Sequence, residues 1–148
     1  MDMEKRGGYL ATRKVKEQTE SKAYMKEWTE GRLNAFIMST LRSGSRRYPP
    51  KWQVLDKAKT EKRINPATGR AAQFYQCESC SNEYTSKEVE VDHKEPVVPL
   101  SGWVSWDDTI KRLFCKADGL QVLCTKCHKA KSKQELKERK SFGSNHSG

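Results

Sequence analysis

Apolar positions along this chain change period several times, and each change marks an element. From Tyr9 to about Leu41 the pattern is helical, charged at first through Arg13-Lys14-Val15-Lys16-Glu17. Leu33, Phe36, Ile37, Thr40 and Leu41 then fall at i, i+3, i+4, i+7 and i+8, which puts them on one helix face. Gly44 is expected to stop that helix. Pro49-Pro50 breaks any helix before it and preorganises the next, a short one marked by Trp52, Leu55 and Ala58. Asn65-Pro66-Ala67-Thr68-Gly69 is a turn, and residues 72–76 form an extended segment. Residues 88–92 alternate polar and apolar as a half-buried strand does, and Pro96 and Pro99 end it. Ser105 with an acidic residue three positions on is a capping-box variant, opening a helix whose buried stripe is Trp106, Ile110, Leu113 and Phe114. Asp118-Gly119 turns the chain, residues 120–123 make a second short strand, and Thr125 caps a last helix running to about Lys140. Residues 141–148 lack apolar anchors and are expected to fray. There is no internal repeat.

At 148 residues the chain is sized for one domain with a small appendage. Its 34% hydrophobic and 32% charged residues make a lean core, so a metal site that adds folding free energy gains weight. A formal charge of +10 disfavours compactness unless a polyanion uses it, and nucleic acid is the first candidate. No apolar run reaches the length of a membrane span and the N-terminus shows no signal-peptide pattern, so a cytoplasmic protein with no membrane partner is expected. Four of the five cysteines lie in C-x-x-C pairs, which without a secretory signal read as metal ligands rather than disulfides. Cys115, the fifth, follows Leu113-Phe114 at the end of an apolar stripe and reads as buried filler.

The candidate chemistry is concentrated in Cys77-Glu78-Ser79-Cys80, Asp92-His93 and Cys124-Thr125-Lys126-Cys127-His128. Cys77, Cys80, Cys124 and Cys127 can surround one zinc as four thiolates, a closed structural site with no position left for a reacting water. Any catalysis must therefore lie elsewhere. Asp92 offers a hard oxygen ligand, His93 beside it a base, and His128 a nitrogen ligand whose backbone the zinc would fix. Arg42, Arg46, Arg47 and Lys51, with Tyr48 and Trp52 interleaved, suit phosphate contact and stacking. Lys129, Lys131 and Lys133 adjoin His128 and are candidates to steer a nucleic-acid backbone.

Val91-Asp92-His93-Lys94-Glu95-Pro96, Leu120-Gln121-Val122-Leu123-Cys124 and Cys127-His128-Lys129-Ala130-Lys131, in that order, resemble the HNH nuclease family over roughly residues 75–133. The layout, with Arg46-Arg47-Tyr48-Pro49-Pro50 ahead of the first knuckle, is similar to small free-standing HNH endonucleases of bacteriophages. The resemblance implies an α+β fold, a zinc-stapled ββα-metal (HNH/His-Me finger) core with a helical basic N-terminal arm. The arm would cover 1–70, the nuclease domain 71–140 and a flexible tail 141–148. It further implies that His93 is the general base, its other ring nitrogen held by a backbone carbonyl. Asp92 and His128 would hold one catalytic Mg²⁺, Mn²⁺ or other divalent ion beside the structural zinc. The substrate would be double-stranded DNA, cut to a 5′-phosphate and a 3′-hydroxyl without an organic cofactor, in the host cytoplasm if the gene is phage-borne. The family's Asn before the second strand is here Gly119, so the loop tie that Asn supplies needs another source, with Asp118 the candidate. The competing expectation is a non-catalytic zinc-ribbon protein that binds nucleic acid.

Overall fold

The computed structural model describes residues 28–144. The helical reading upstream of residue 28 and the end of the tail, 145–148, lie outside the described residues. Helix α1 (Glu30–Ser45) starts where the Thr29 hydroxyl accepts the Arg32 N–H at 3.2 Å, with Glu30 in the first turn where the helix dipole favours an acid. Phe36 from the sequence stripe meets Trp28 edge-on at 5.7 Å, and Arg32 lies over the same indole. Leu33 and Phe36 remain exposed, and Gly44 falls inside the last turn rather than ending it. The chain divides into two compact units, Met1–Ser43 and Gly44–Gly148.

The second unit begins at Gly44. Helix α2 (Pro49–Lys57) is followed by β1 (Lys59–Ile64), which the polar run Lys59-Thr60-Glu61-Lys62-Arg63 did not announce. The strand forms because its partner lies across the turn: β1 pairs antiparallel with β2 (Ala71–Gln76), Ile64 opposite Ala71 and Arg63 opposite Ala72. The turn is the one read from Asn65 to Gly69, closed by Asn65 N–H to Arg70 O at 2.8 Å, with Gly69 at φ +68°. β3 (Glu83–Thr85) adds to the other edge of β2, giving the order β1-β2-β3. Arg63 stacks 3.8 Å above the Phe74 ring and pairs with Glu61 and Glu83, so a polar strand acquires tertiary anchors.

A second antiparallel pair consists of β4 (Val89–His93) and β5 (Leu120–Cys124), in register from Val89↔Cys124 to His93↔Leu120. A proline-rich loop, helix α3 (Trp106–Leu113) and a 3₁₀ turn (Ala117–Gly119) connect them, and β5 runs directly into α4 (Thr125–Ser144). The Ser105 side chain caps α3 as expected, accepting from Asp108 N–H at 3.1 Å. The buried face of α3 differs from the expected stripe, since Ile110 is exposed and Thr109 is buried with Leu113. Thr109 satisfies its hydroxyl on the Ser105 carbonyl at 2.9 Å, so its burial leaves no polar atom stranded.

The core is small. Tyr75, Val89 and Val122 pack with Val54, Leu55, Ala58, Tyr84 and Val91, and beside them Cys77, Leu123 and Cys124 pack with Tyr84 and Cys127. α4 docks largely through polar groups: Arg139 donates to the carbonyls of Pro99 and Val98 at 3.0 and 2.6 Å. Arg112 of α3 adds a weaker bond to the Pro96 carbonyl at 3.5 Å. The loop's prolines cannot donate, but their carbonyls hold it onto both helices. α4 continues to Ser144, four residues past the expected end, and the start of the tail is helical. Among the described residues no helix is long and apolar enough to cross a membrane. These residues make an α+β arrangement of four helices and two small antiparallel sheets.

Candidate functional site

The sulfurs of Cys77, Cys80, Cys124 and Cys127 all lie within 4.8 Å of one another. A tetrahedral zinc with bonds of about 2.3 Å needs sulfurs about 3.8 Å apart, so the cluster can hold such an ion with small adjustments. Cys80 and Cys124 are at 4.0 Å. The first knuckle is a tight turn: Ser81 N–H bonds to Cys77 O and Cys77 N–H to Asn82 O, both at 2.9 Å, with Ser81 at φ +62°. The second knuckle is the junction of β5 and α4, where Cys124 N–H donates to Cys77 Sγ at 3.2 Å and Cys127 N–H to Cys124 Sγ at 3.4 Å. Cys124 is thus the N-cap acceptor of α4. Thr125, expected in that role, turns its hydroxyl to the Glu88 carbonyl at 3.2 Å instead.

Sulfurs this close cannot all ionise without a cation. The Tyr84 hydroxyl, 3.6 Å from Cys80, pulls that thiol down to about 6, with the Asn82 backbone as the next cause. Cys127 is pushed up to about 12, chiefly by its bond to the Cys124 sulfur. A dication at the centre favours four thiolates and expels the protons that the bare cluster keeps.

Asp92, His93 and His128 come from the end of β4 and the first turn of α4. His93 Nε2 lies 2.9 Å from the Leu113 carbonyl, which can only accept, so this nitrogen carries the proton and Nδ1 carries the lone pair. His128 Nδ1 lies 2.9 Å from Glu90 Oε2, an ion-pair contact, and a neutral ring protonated on that side has its lone pair at Nε2. That atom faces Asp92 Oδ1 at 3.6 Å. Two acceptors opposed across such a gap are an unfavourable pair unless a proton or cation lies between them. The other carboxylate oxygen, Asp92 Oδ2, forms an ion pair with Lys131 Nζ at 2.9 Å and accepts a long hydrogen bond from Gln121 Nε2 at 3.4 Å.

Lys131, expected among the nucleic-acid contacts, has its ammonium engaged within the protein. Its ammonium donates to the His93 carbonyl at 2.8 Å and to Glu135 at 2.7 Å, so two of its N–H groups are used inside the protein beside the ion pair with Asp92. Burial acts to lower its pKa, but Glu135 and Asp92 outweigh it and the pKa is raised. Glu90 was missed as a site residue, and Lys131 was read as a nucleic-acid contact and not as a partner of Asp92. Their spacing was the available signal, since Glu90 is two residues from Asp92 on a strand and Lys131 three from His128 on a helix, same-face positions in each case.

Of the other basic residues, Arg46, Arg47, Lys129 and Lys133 are exposed, whereas Arg42 ends α1, mostly in the first unit. Lys51 is half-buried, its pKa lowered chiefly by that burial while the charges of Cys115, Arg46 and Asp92 also act on it. It lies close enough to Asp92 to feel its carboxylate. Tyr48 is not available for stacking on bases, because its ring packs edge-on against Phe114 at 5.2 Å and its hydroxyl donates to the Phe114 carbonyl at 3.0 Å. Trp52 stays exposed.

Gly119 has a steric explanation. A Cβ there would lie 2.9 Å from Cys115 Sγ and 3.3 Å from its Cβ, so a side chain at this position requires Cys115 to move. Cys115 is half-buried rather than fully buried, and burial raises its thiol pKa, as suits packing rather than a nucleophile. The loop tie comes from the backbone: Lys94 N–H donates to Gly119 O at 2.9 Å, fastening the residue after β4 to the turn before β5. Asp118 is exposed.

Among the described residues the four cysteines are the one group of three or more His, Cys, Asp or Glu ligands close enough to share an ion. Compared with models of protein families, with curated proteins and with solved structures, the chain has no match.

Two outcomes are expected. Elemental analysis of the purified chain should find one tightly held zinc. Because protons compete for the thiolates, the metal should be lost to a chelator faster as pH falls, and its loss should coincide with loss of the folded far-UV signal. Cys124→Ser removes a ligand and the cap of α4 together, and should abolish zinc retention. Gly119→Asn should cost about 1–3 kcal/mol by overpacking, measured in urea, and adding Cys115→Ala should recover much of that loss. Additive costs in the double variant would mean the two side chains do not compete for space.

Proposed function

We propose that this chain is a metal-dependent DNA endonuclease of the HNH type, built on a structural zinc. The observation that carries the reading is the opposed pair Asp92 Oδ1 and His128 Nε2, 3.6 Å apart, with His93 adjacent in the chain. These two atoms would hold a divalent ion, and a mixed oxygen and nitrogen set with water completing the shell suits Mg²⁺, Mn²⁺ or a later first-row ion. Held there, a divalent ion would supply positive charge beside a bound phosphate.

The rest is work for the chain's own residues. His93, its Nε2 proton engaged by Leu113, presents Nδ1 as the acceptor for a proton from the attacking water. Glu90, 2.9 Å from His128 Nδ1, would favour a proton on that nitrogen and leave Nε2 to the ion. Lys51 stands near the carboxylate and would meet a phosphate there, with Arg46, Arg47, Lys129 and Lys133 adding exposed positive charge along the duplex and Arg42 adding its own. The products would be a 5′-phosphate and a 3′-hydroxyl.

A second reading, a zinc-ribbon protein that binds nucleic acid without cutting it, is favoured by one observation. Lys131 already neutralises Asp92, so the carboxylate has a cation with no metal present.

Supercoiled plasmid incubated with the protein and Mg²⁺ or Mn²⁺, against an EDTA control, separates the two. His93→Ala should keep zinc content, melting temperature and DNA binding, yet lose cleavage by about two to four orders of magnitude. Asp92→Ala and His128→Ala should lose cleavage and regain part of it at high Mn²⁺, whereas His93→Ala should not. Undiminished nicking by His93→Ala would remove it from the mechanism.

DNA affinity gives an independent check. Replacing Arg46 and Arg47 by Ala should weaken binding equally on unrelated duplexes and flatten the slope of log K against log salt by up to about two units. An unchanged slope would leave both arginines as solvated surface charge.

A further inference from the structure

Lys131 turns its ammonium toward three protein oxygens around the proposed ion site, two through hydrogen bonds and one as an ion pair. Its ammonium reaches Asp92 Oδ2 at 2.9 Å, the His93 carbonyl at 2.8 Å and Glu135 Oε1 at 2.7 Å. Each contact constrains the site differently. The Asp92 contact occupies one carboxylate oxygen and leaves the other, Oδ1, turned toward His128 Nε2. The His93 contact ties the end of β4 to α4, so the spacing between the two ligand-bearing elements is held by this one side chain together with the strand pairing. The Glu135 contact, one helical turn on, keeps the lysine itself from swinging out.

We infer that Lys131 is a positioning residue that makes Asp92 a one-oxygen ligand and thereby sets which divalent ion the site accepts. The inference rests on the nuclease reading above, in which Asp92 and His128 share an ion. An ammonium 2.9 Å from one carboxylate oxygen makes that oxygen a poorer ligand and so disfavours chelation through both oxygens. Ca²⁺ gathers six to eight oxygen ligands and readily takes carboxylates through both atoms, whereas six-coordinate ions such as Mg²⁺ and Mn²⁺ accept a single carboxylate oxygen beside an imidazole. The lysine also subtracts one unit of negative charge from a cluster that holds Glu90, Asp92 and Glu135, which weakens every dication and penalises most the one that depends on carboxylate charge. Capping through Oδ2 thus selects against Ca²⁺ by geometry and by charge. Hydrogen-bond partners one layer behind a ligand typically change metal affinity by about 10–100-fold, enough for such selection.

The test measures binding rather than turnover. Zinc-loaded full-length protein is titrated with Mn²⁺, free Mn²⁺ is followed by electron paramagnetic resonance, and Ca²⁺ is added as competitor. Three proteins are compared with wild type: Lys131→Met, the pair Lys131→Met with Glu135→Met, and Asp92→Ala. The paired variant removes one positive and one negative charge, so it takes the ammonium away from Oδ2 at constant local charge and leaves there only the long Gln121 contact, and it avoids leaving Glu135 without its partner if the single variant folds poorly. Wild type should bind Mn²⁺ in a manner that Asp92→Ala abolishes, with Ca²⁺ a poor competitor. In both Lys131 variants Ca²⁺ should gain on Mn²⁺ by about tenfold or more. A Mn²⁺ site that depends on Asp92 but shows the wild-type Ca²⁺ to Mn²⁺ ratio in the paired variant overturns the role of Lys131 and leaves the nuclease reading standing. Absence of any Mn²⁺ binding that depends on Asp92 overturns both.

Discussion

Four sulfurs within 4.8 Å of one another join the knuckle after β2 to the point where β5 becomes α4, and the geometry of the proposed site follows from that junction. Cys77 lies in the first knuckle yet accepts from Cys124 N–H, and Cys124 in turn caps the helix that begins with the next residue. The first turn of α4 therefore has its position set by thiol chemistry rather than by apolar burial. His128 is in that turn, one residue past the last sulfur, so its ring is delivered to the open face of β4 by a cluster that takes no part in any reaction itself. A closed four-thiolate site makes sense here as a fixed point, since a lean core cannot hold a helix this polar by packing alone.

The same shortage of apolar surface explains why charged groups carry structural duties elsewhere. Arg139 and Arg112 hold the proline-rich loop by its carbonyls, Arg63 covers Phe74, and Lys131 pins α4 to the end of β4. Each is a long side chain whose charge is satisfied inside the fold. The net charge of +10 already subtracts the acids in these pairs, and Arg46, Arg47, Lys129 and Lys133 are exposed members of the basic excess.

The turn before β5 shows how one constraint is met by several small ones. Gly119 leaves room for Cys115, Lys94 N–H supplies the tie across the loop, and Tyr48 from the start of α2 anchors the Phe114 carbonyl just upstream. The Leu113 carbonyl, one residue earlier, is then free to orient His93. The proposed base is held by a main-chain acceptor whose own position depends on a residue 65 positions away, Tyr48, acting through its neighbour.

Features decided within a few residues were legible in the chain alone. The paired knuckles, the strand alternation at 88–92, the Asn65–Gly69 turn and the Ser105 cap each rest on local spacing, and local spacing survives folding. The resemblance carried by Asp92-His93 and Cys127-His128 adds a proposed chemistry to those positions. What tertiary structure decided was every choice that depended on a distant partner. β1 is a strand because β2 returns beside it, which also carries the second unit back to Gly44. Thr109 rather than Ile110 is buried because a polar side chain can turn its hydroxyl onto its own helix. Tyr48 packs on Phe114 instead of facing solvent, and Lys131 turns inward because Asp92 and Glu135 together outweigh the cost of burying its charge. Sequence by itself determined which residue types were available and at what spacing; the fold determined which charges found partners, because only there do residues far apart in the chain come within a hydrogen bond of each other.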